Sequence, residues 1–264
     1  MDHQQAIGGS DPMAAGMRLA GLTVTRATQA DVLTRIGDSL GQGTSPPLAI
    51  GSVNLDHLHH FPAGTGARPG ADEVEWLWLA DGMPVAWRGR ALTGRAWPRV
   101  TGADLLPAIL GLAETAGARV GWLGGTPSMH DDLAEVLARR WPRLDAGSVW
   151  TPIRAELDDA AGADAIVRDI AAAQVDILVV ALGKPRQEQW IDSQGALSGA
   201  RVLLAFGASG DFLAGRVARA PGWMQNVGAE WLYRLYREPR RLARRYLVEA
   251  PQQLTVLRQA SLDA

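Results

Sequence analysis

Three segments within the stretch 175–247 decide the fold: VDILVVALGKPRQEQW (175–190), RVLLAFGASGDFLAG (201–215) and APGWMQNVGAEWLYRLYREPRRLARRYL (220–247). Residues 176–182 are apolar and β-branched, which reads as a strand buried on both faces. Gly183 and Pro185 end it, and Arg186-Gln187-Glu188 opens a helix. Residues 201–206 repeat the pattern, with Gly207 and Gly210 forming the turn before Asp211. Open α/β sheets bind ligands at such strand-to-helix turns, beyond the carboxyl ends of their strands.

The same alternation recurs upstream. Residues 48–53 read as a buried strand that delivers Ser52 and then Asn54 at its end. In WLWLADGMP, Trp76 to Leu79 form the buried part, Asp81 emerges at the carboxyl end, and Gly82 permits a tight turn. A helix follows with Val85, Ala86 and Trp87, and 103–116 is helical by periodicity, with Thr101 or Asp104 at its positive end. Residues 119–123 are another strand, closed by Gly124-Gly125-Thr126-Pro127 before a helix capped by Thr126 or Ser128. Weaker signals mark strands at 22–25 and 145–149, a helix after Thr28 and another at 160–173. Repeated strand–helix alternation predicts an α/β fold: a doubly wound, largely parallel Rossmann-like sheet with a C-terminal helical appendage. The expected division is a mobile tail at 1–16, an α/β domain at 17–218 and a basic amphipathic helical appendage at 219–264.

With 264 residues and 47% hydrophobic composition the chain can bury a sizeable core. A formal net charge of -2 argues against a nucleic-acid-binding surface. That average hides an asymmetry, because Arg234, Arg237, Arg240, Arg241, Arg244 and Arg245 crowd one segment. The absence of cysteine removes disulfides, thiolate metal sites and thiol nucleophiles, and fits the cytoplasm. No apolar run is long enough to span a bilayer, and the first residues lack a secretory pattern.

Several residues carry chemistry by type and position. Asp81 at a strand terminus can take a proton from an attacking hydroxyl, or it can bind its own backbone as turn aspartates do. Ser52 and Asn54 can orient ligand hydroxyls, while Asn54 can equally cap the next helix. Gly124 and Gly125 let backbone N–H groups approach a phosphate at a helix start, or simply make a tight turn. The Gln187 amide can donate to and accept from one hydroxyl, and Asp211 can accept from hydroxyls or cap a turn. His57, His59 and His60 invite a metal, but the next segment, FPAGTGARPGAD (61–72), supplies no obvious further ligand beyond Asp72, and a ligand set needs geometry. No metal is expected. LGGTP lacks the dinucleotide fingerprint, so no cofactor is expected either. Arginines at three- and four-residue steps beside Trp231, Leu235, Leu242 and Tyr246 suit a membrane interface or a pyrophosphate. Their alternative is a solvated helix face.

The segments LGKPRQEQW, FGASGDFLAG and RAPGWMQNVGAEWLYRLYREPRRLARRYL closely resemble the WecG/TagA/CpsF family of bacterial glycosyltransferases. The likeness runs from about residue 49 to 247, and the three motifs stand in the family's order. It implies a UDP-activated sugar donor and a lipid-linked acceptor in surface-polymer synthesis. It also implies Asp81 of the DG motif as base, and matches Ser52-Val53-Asn54 to the family's T-x-N. Arg99 falls on the arginine of R-x-x-G-x-D and would hold a phosphate. Gly124, Gly125, Gln187 and Asp211 would frame the donor, with Arg234, Arg241 and Arg244 matching the appendage arginines. Departures are serine at position 52, DGMP in place of DGxG, and SVWTPIRAEL (148–157) in place of a glycine-aromatic run.

The expected protein is an inverting glycosyltransferase, cytoplasmic and attached peripherally to the inner face of the membrane. Its donor is UDP-N-acetylmannosamine or the uronic acid, and its acceptor an undecaprenyl-diphosphate-linked saccharide. UDP-glucose or UDP-glucuronate is the rival donor, and a non-catalytic lipid-diphosphate scaffold the rival of another class. The chain holds no D-x-D, so cationic side chains near the carboxy terminus are expected to neutralise the leaving diphosphate. Nucleic acid is not an expected partner, and an oligomer is left open.

Overall fold

A computed structural model describes residues 15–42, 46–61, 73–226 and 228–263. In chain order the first elements are β1 (Gly16–Leu19), β2 (Leu22–Thr25), α1 (Gln29–Gln42), β3 (Leu48–Val53), α2 (Leu55–His60), β4 (Glu75–Ala80), α3 (Met83–Thr93) and α4 (Gly102–Ala116). Then come β5 (Val120–Gly124), α5 (Pro127–Arg140), β6 (Ser148–Trp150), α6 (Arg154–Asp158), α7 (Ala160–Ala173), β7 (Ile177–Ala181), α8 (Arg186–Gln194), β8 (Val202–Leu204) and α9 (Ser209–Leu213). The chain finishes with α10 (Gly222–Asn226), α11 (Glu230–Arg237), α12 (Pro239–Arg244), a π-helical turn at Arg245–Glu249, α13 (Ala250–Arg258) and β9 (Ser261–Leu262).

Among the described residues a 9-stranded sheet runs in the order β6-β5-β7-β8-β3-β4-β2-β1-β9. Every pairing from β6 to β2 is parallel, and β1 pairs antiparallel with both β2 and β9. Strand alternation distributes the core to two faces. Ile177 and Val179 pack with Ile36, Leu105, Ile109 and Leu133 on one side. Leu178 and Val180 pack with Val167, Ile170, Trp190 and Ile191 on the other. A doubly covered parallel sheet requires such strands, and β3, β5 and β8 are buried throughout.

The sheet's far end differs from the sequence reading. Gly16, expected in a tail, is the first residue of β1, while residues 1–14 lie outside the described residues. β1 and β2 form a two-residue hairpin through Ala20 and Gly21, whose φ angles of 51° and 78° match the twist of the strands. An alanine at a left-handed position carries no turn signal, which hid the hairpin. The segment read as a helical appendage is helical through Arg258, but Ser261 and Leu262 then return to the sheet opposite Arg18 and Met17. Arg88 secures that return, its Nη2 donating to the carbonyls of Arg258 (2.9 Å) and Ala260 (2.7 Å). Residues 219–249 therefore cross the carboxyl ends of the strands between two anchored segments.

Candidate active site

A cleft of about 990 Å³ opens beyond the carboxyl ends of β7, β8, β3 and β4, the middle of the sheet, and is roofed by α11, α12 and the turn before α13. Its floor is built by register. Val53 lies opposite Ala80 in the parallel ladder, so Asn54 and Asp81 leave the sheet side by side. The Asp81 amide donates to Val53 O at 3.1 Å, carrying the ladder one residue past the strand. Asp81 Oδ2 then accepts from Ser52 Oγ at 3.3 Å and from Asn54 Nδ2 at 3.1 Å. Asn54 Oδ1 meanwhile accepts the His57 amide at 3.0 Å and caps α2. Of the two roles weighed for Asn54 the structure shows the helix cap, while the other end of the amide is turned to Asp81. Among the described residues Asp81 Oδ1 accepts no hydrogen bond, and the residue lines the cleft. Pro84 lies in the first turn of α3, where its missing N–H breaks no helical bond.

The neighbouring turn presents Gln187, which is 1% exposed yet lines the cleft. Its Nε2 donates to Ala205 O (2.9 Å) and Glu188 Oε1 (3.1 Å), so two acceptors fix the amide's orientation. Oε1 has no partner among the described residues and faces Gly207, where any Cβ would crowd it. The side chain therefore offers the cleft an acceptor only, not the donor–acceptor pair anticipated from its type. A buried carbonyl oxygen without a partner costs about 1–3 kcal/mol, which a ligand hydroxyl can recover.

Guanidinium groups line the same cleft. Arg99 Nη1 lies 3.6 Å from Glu230 Oε2, and Arg219 Nε lies 3.7 Å from Glu230 Oε1. Arg219 also bonds Asp104 through Nη1. Burial opposes the Arg219 charge, but the Asp104 hydrogen bond and the fields of Asp104, Glu230 and Asp81 outweigh it and raise its pKa. For Asp104, burial pushes the carboxyl upward, and hydrogen bonds from Arg219 and Thr101 more than reverse this, leaving it below its ordinary value. Arg219 and Arg234 both lie over the Phe212 ring, at 5.7 and 5.5 Å. Arg234 Nε is buried and has no hydrogen-bond partner among the described residues. Asp211, in the first turn of α9, lines the same cleft.

Ser52, Asn54, Asp81, Arg99, Gln187, Asp211 and Arg234 thus converge on one cavity. Gly124 and Gly125 do not line it. Their φ angles are 94° and 80°; a Cβ on Gly124 would meet Ala181 O at 2.5 Å, so this glycine lets β5 and β7 pass closely, and one on Gly125 would meet the Met129 side chain of α5 at 2.2 Å. Arg244 is also outside the cavity, 85% exposed and 2.9 Å from Glu249. Arg241 belongs to α12, and its side chain lies outside the described residues. The histidines separate into different tasks: His57 is buried against Lys184, His59 lies 3.9 Å from Glu249, and His60 lies 3.8 Å from Asp56. Asp72 lies outside the described residues, among which no group of His, Cys, Asp or Glu is placed to hold a metal ion. Sequence reasoning passed over Lys184, Arg219 and Glu230, all of which line the cleft. Arg219 stood in the supposed domain boundary, although as the first residue of RAPGW it lay within a motif already singled out.

Two comparisons bear on this arrangement. A family model described as "Glycosyl transferase WecG/TagA/CpsF family" matches residues 17–263. Over 184 residues the chain is 30% identical to a protein of Bacillus subtilis (strain 168), the match covering 69% of this chain and 68% of that protein. The relative is named N-acetylglucosaminyldiphosphoundecaprenol N-acetyl-beta-D-mannosaminyltransferase.

Proposed function

The chain belongs to the WecG/TagA/CpsF glycosyltransferase family, and from that premise we propose that it moves N-acetylmannosamine or its uronic acid from UDP to an undecaprenyl-diphosphate-linked saccharide. The observation that carries this reading is Asp81, oriented by Ser52 and Asn54 on the floor of a cleft that also bears Arg99, Arg219 and Arg234. In the proposed reaction the acceptor oxygen bonds to the anomeric carbon as its proton passes to Asp81. The bond from that carbon to the UDP oxygen breaks on the opposite face, so the anomeric configuration inverts. Negative charge then develops on the departing diphosphate. Guanidinium groups fixed in a partly desolvated cleft suit that charge better than mobile solvent, and they bind phosphate oxygens in pairs. Gln187 Oε1 would accept from a hydroxyl of the donor or acceptor. Glu230, now shared by Arg99 and Arg219, holds them in place until the diphosphate competes for them.

Membrane contact belongs to the same proposal. Trp223, Tyr236 and Leu247 are 67%, 84% and 60% exposed on the roof segment that also carries the exposed Arg237 and Arg240. Aromatic and basic side chains together favour an anionic lipid surface. Among the described residues no helix is long and apolar enough to cross a membrane.

The test is UDP release by purified protein, with a panel of UDP-sugars and a short-chain lipid-diphosphate-linked N-acetylglucosamine, with and without chelator. Acceptor-dependent release with UDP-N-acetylmannosamine or its uronic acid, undiminished by chelator, is expected. Preference for UDP-glucose or UDP-glucuronate would replace the donor, and strong inhibition by chelator would remove the arginine-based neutralisation.

A further inference from the structure

Beneath the floor lies a buried cation that the proposed reaction leaves unused. Lys184, in the turn after β7, has a side chain only 13% exposed. Its Nζ donates to Ser52 O at 2.6 Å, meets His57 Nδ1 at 3.2 Å and lies 3.6 Å from Glu188 Oε1. The first two contacts are hydrogen bonds and the third is an ion pair, so three partners hold the ammonium. His57 is fully buried, and burial first, then the Lys184 and His60 charges, drive its pKa well below the ordinary value. It is therefore neutral, with Nδ1 as acceptor toward Lys184 and the proton on Nε2. Glu188 is 0% exposed, and its Oε2 has no partner among the described residues. Burying such a charge pair costs several kcal/mol per ion unless the geometry offsets it, and apolar side chains could fill the volume without that penalty. The arrangement thus needs a reason other than packing.

The contacts around Lys184 supply one. Through the Ser52 carbonyl it holds the residue whose Oγ donates to Asp81. Through His57 it holds the first turn of α2, whose His57 amide is bonded to Asn54, the second donor to Asp81. Through Glu188 it reaches Gln187. One ammonium thereby ties both supports of the carboxylate to the Gln187 side chain that lines the same cleft.

We propose that Lys184 is a positioning residue for Asp81: it fixes Ser52 and the Asn54–His57 turn beneath the carboxylate and, with Glu188 beside it, sets the charge that lies behind them. This rests on Asp81 as the base.

The opposed charges of Lys184 and Glu188 make the proposal testable by direction. Removing a nearby cation raises the pKa of a carboxylate, and removing a nearby anion lowers it. Lys184→Met is expected to lower kcat about 10–100-fold, as small misplacements of reacting groups do, with little change in donor KM. It also moves the acid limb of kcat/KM to higher pH by roughly half a unit to one unit. Glu188→Gln keeps the shape and moves the same limb to lower pH. The other charged groups on the cleft are unchanged in both variants: Arg99 and Arg219 with Glu230, Arg245 and His60 with Asp56, and Arg234, Asp211 and Glu249. A merely structural pair would move both profiles together or neither.

The probes are UDP-N-acetylmannosamine and the short-chain lipid-diphosphate acceptor, with melting measured for each variant and Asp81→Asn run in parallel. Opposite shifts in folded variants support the proposal. Shifts of the same sign, or none, overturn it. Should Lys184→Met fail to fold, the Glu188→Gln shift alone decides, a downward move supporting the proposal and any other result overturning it. Full turnover by Asp81→Asn removes the base itself. Loss of turnover by Asp81→Asn, with unmoved profiles in the other two, removes only the role of Lys184.

Discussion

On the floor of the cleft, Asp81 is fixed by a strand ladder and two short side chains, each within a few residues of a buried β-strand. On the roof, Arg219, Arg234 and Arg245 are held by ion pairs and ring faces: Arg219 with Asp104 and Glu230, Arg234 over Phe212, and Arg245 Nε 2.9 Å from Asp56. The floor takes its geometry from backbone register in a low-dielectric core. The roof takes its geometry from half-buried charges at a seam open to solvent, where screening weakens each contact. A cleft made this way has one preorganised half and one half able to exchange internal carboxylate partners for a ligand's phosphates. The comparison predicts that damage to the floor removes chemistry, whereas damage to the roof removes binding.

Asp81→Asn is the sharpest test of the floor. Turnover should fall about 10²–10⁴-fold, the usual contribution of a general base. Thermal melting should stay near wild type, since asparagine can still accept from Ser52 and Asn54. On the roof, Arg234→Ala should cost about 10–100-fold in kcat/KM for the lipid-diphosphate acceptor, the scale of a charge-assisted hydrogen bond. A kcat loss equal to that of Asp81→Asn would break the distinction.

Stability separates the halves next. Gly51 lies opposite Trp78 in the ladder, and a Cβ there would overlap the indole ring. Gly51→Ala should therefore destabilise the protein by about 1–3 kcal/mol in denaturant titration, as overpacking does. His57 contributes through pH. Its native pKa lies well below the usual 6.5, so the unfolded chain takes up a proton that the native state refuses. That stability is present above about pH 6.5 and declines as pH falls toward the native value. Melting of the wild type should decline on acidification from pH 7 to 5, and more shallowly in His57→Gln. The smallest effect belongs to the roof contact at Asp104, whose pKa is depressed below 3.8. Its contribution is present above that value and lost as pH falls below it. With the side chain 44% exposed, solvent limits the loss in Asp104→Asn to under about 1 kcal/mol.

How much of this was legible follows the range of the forces. The runs at 48–53, 76–79, 119–123 and 176–182 announced strands because burial on both faces demands continuous apolar residues. Asn54 and Asp81 stood out because they closely follow such runs, and Ser52 because it is a polar residue near the end of one. Thr101 and Thr126 were readable as caps, and both accept the expected amide, from Asp104 and Met129. Gly124 and Gly125 read equally as phosphate turn or packing device. Local sequence does not distinguish these, and the closeness of Ala181 became visible only once β5 lay beside β7.

The chain's own residues determined that it would form alternating strands and helices, and which polar groups would emerge at strand ends, because periodicity and turn chemistry act over a handful of positions. Tertiary structure alone decided that β3 would lie between β8 and β4, bringing Lys184 under Ser52 across 132 positions and Arg219 against Asp104 across 115. Charges so far apart in sequence meet only after the strand order is set. That order is chosen by the packing of the whole core rather than by either residue.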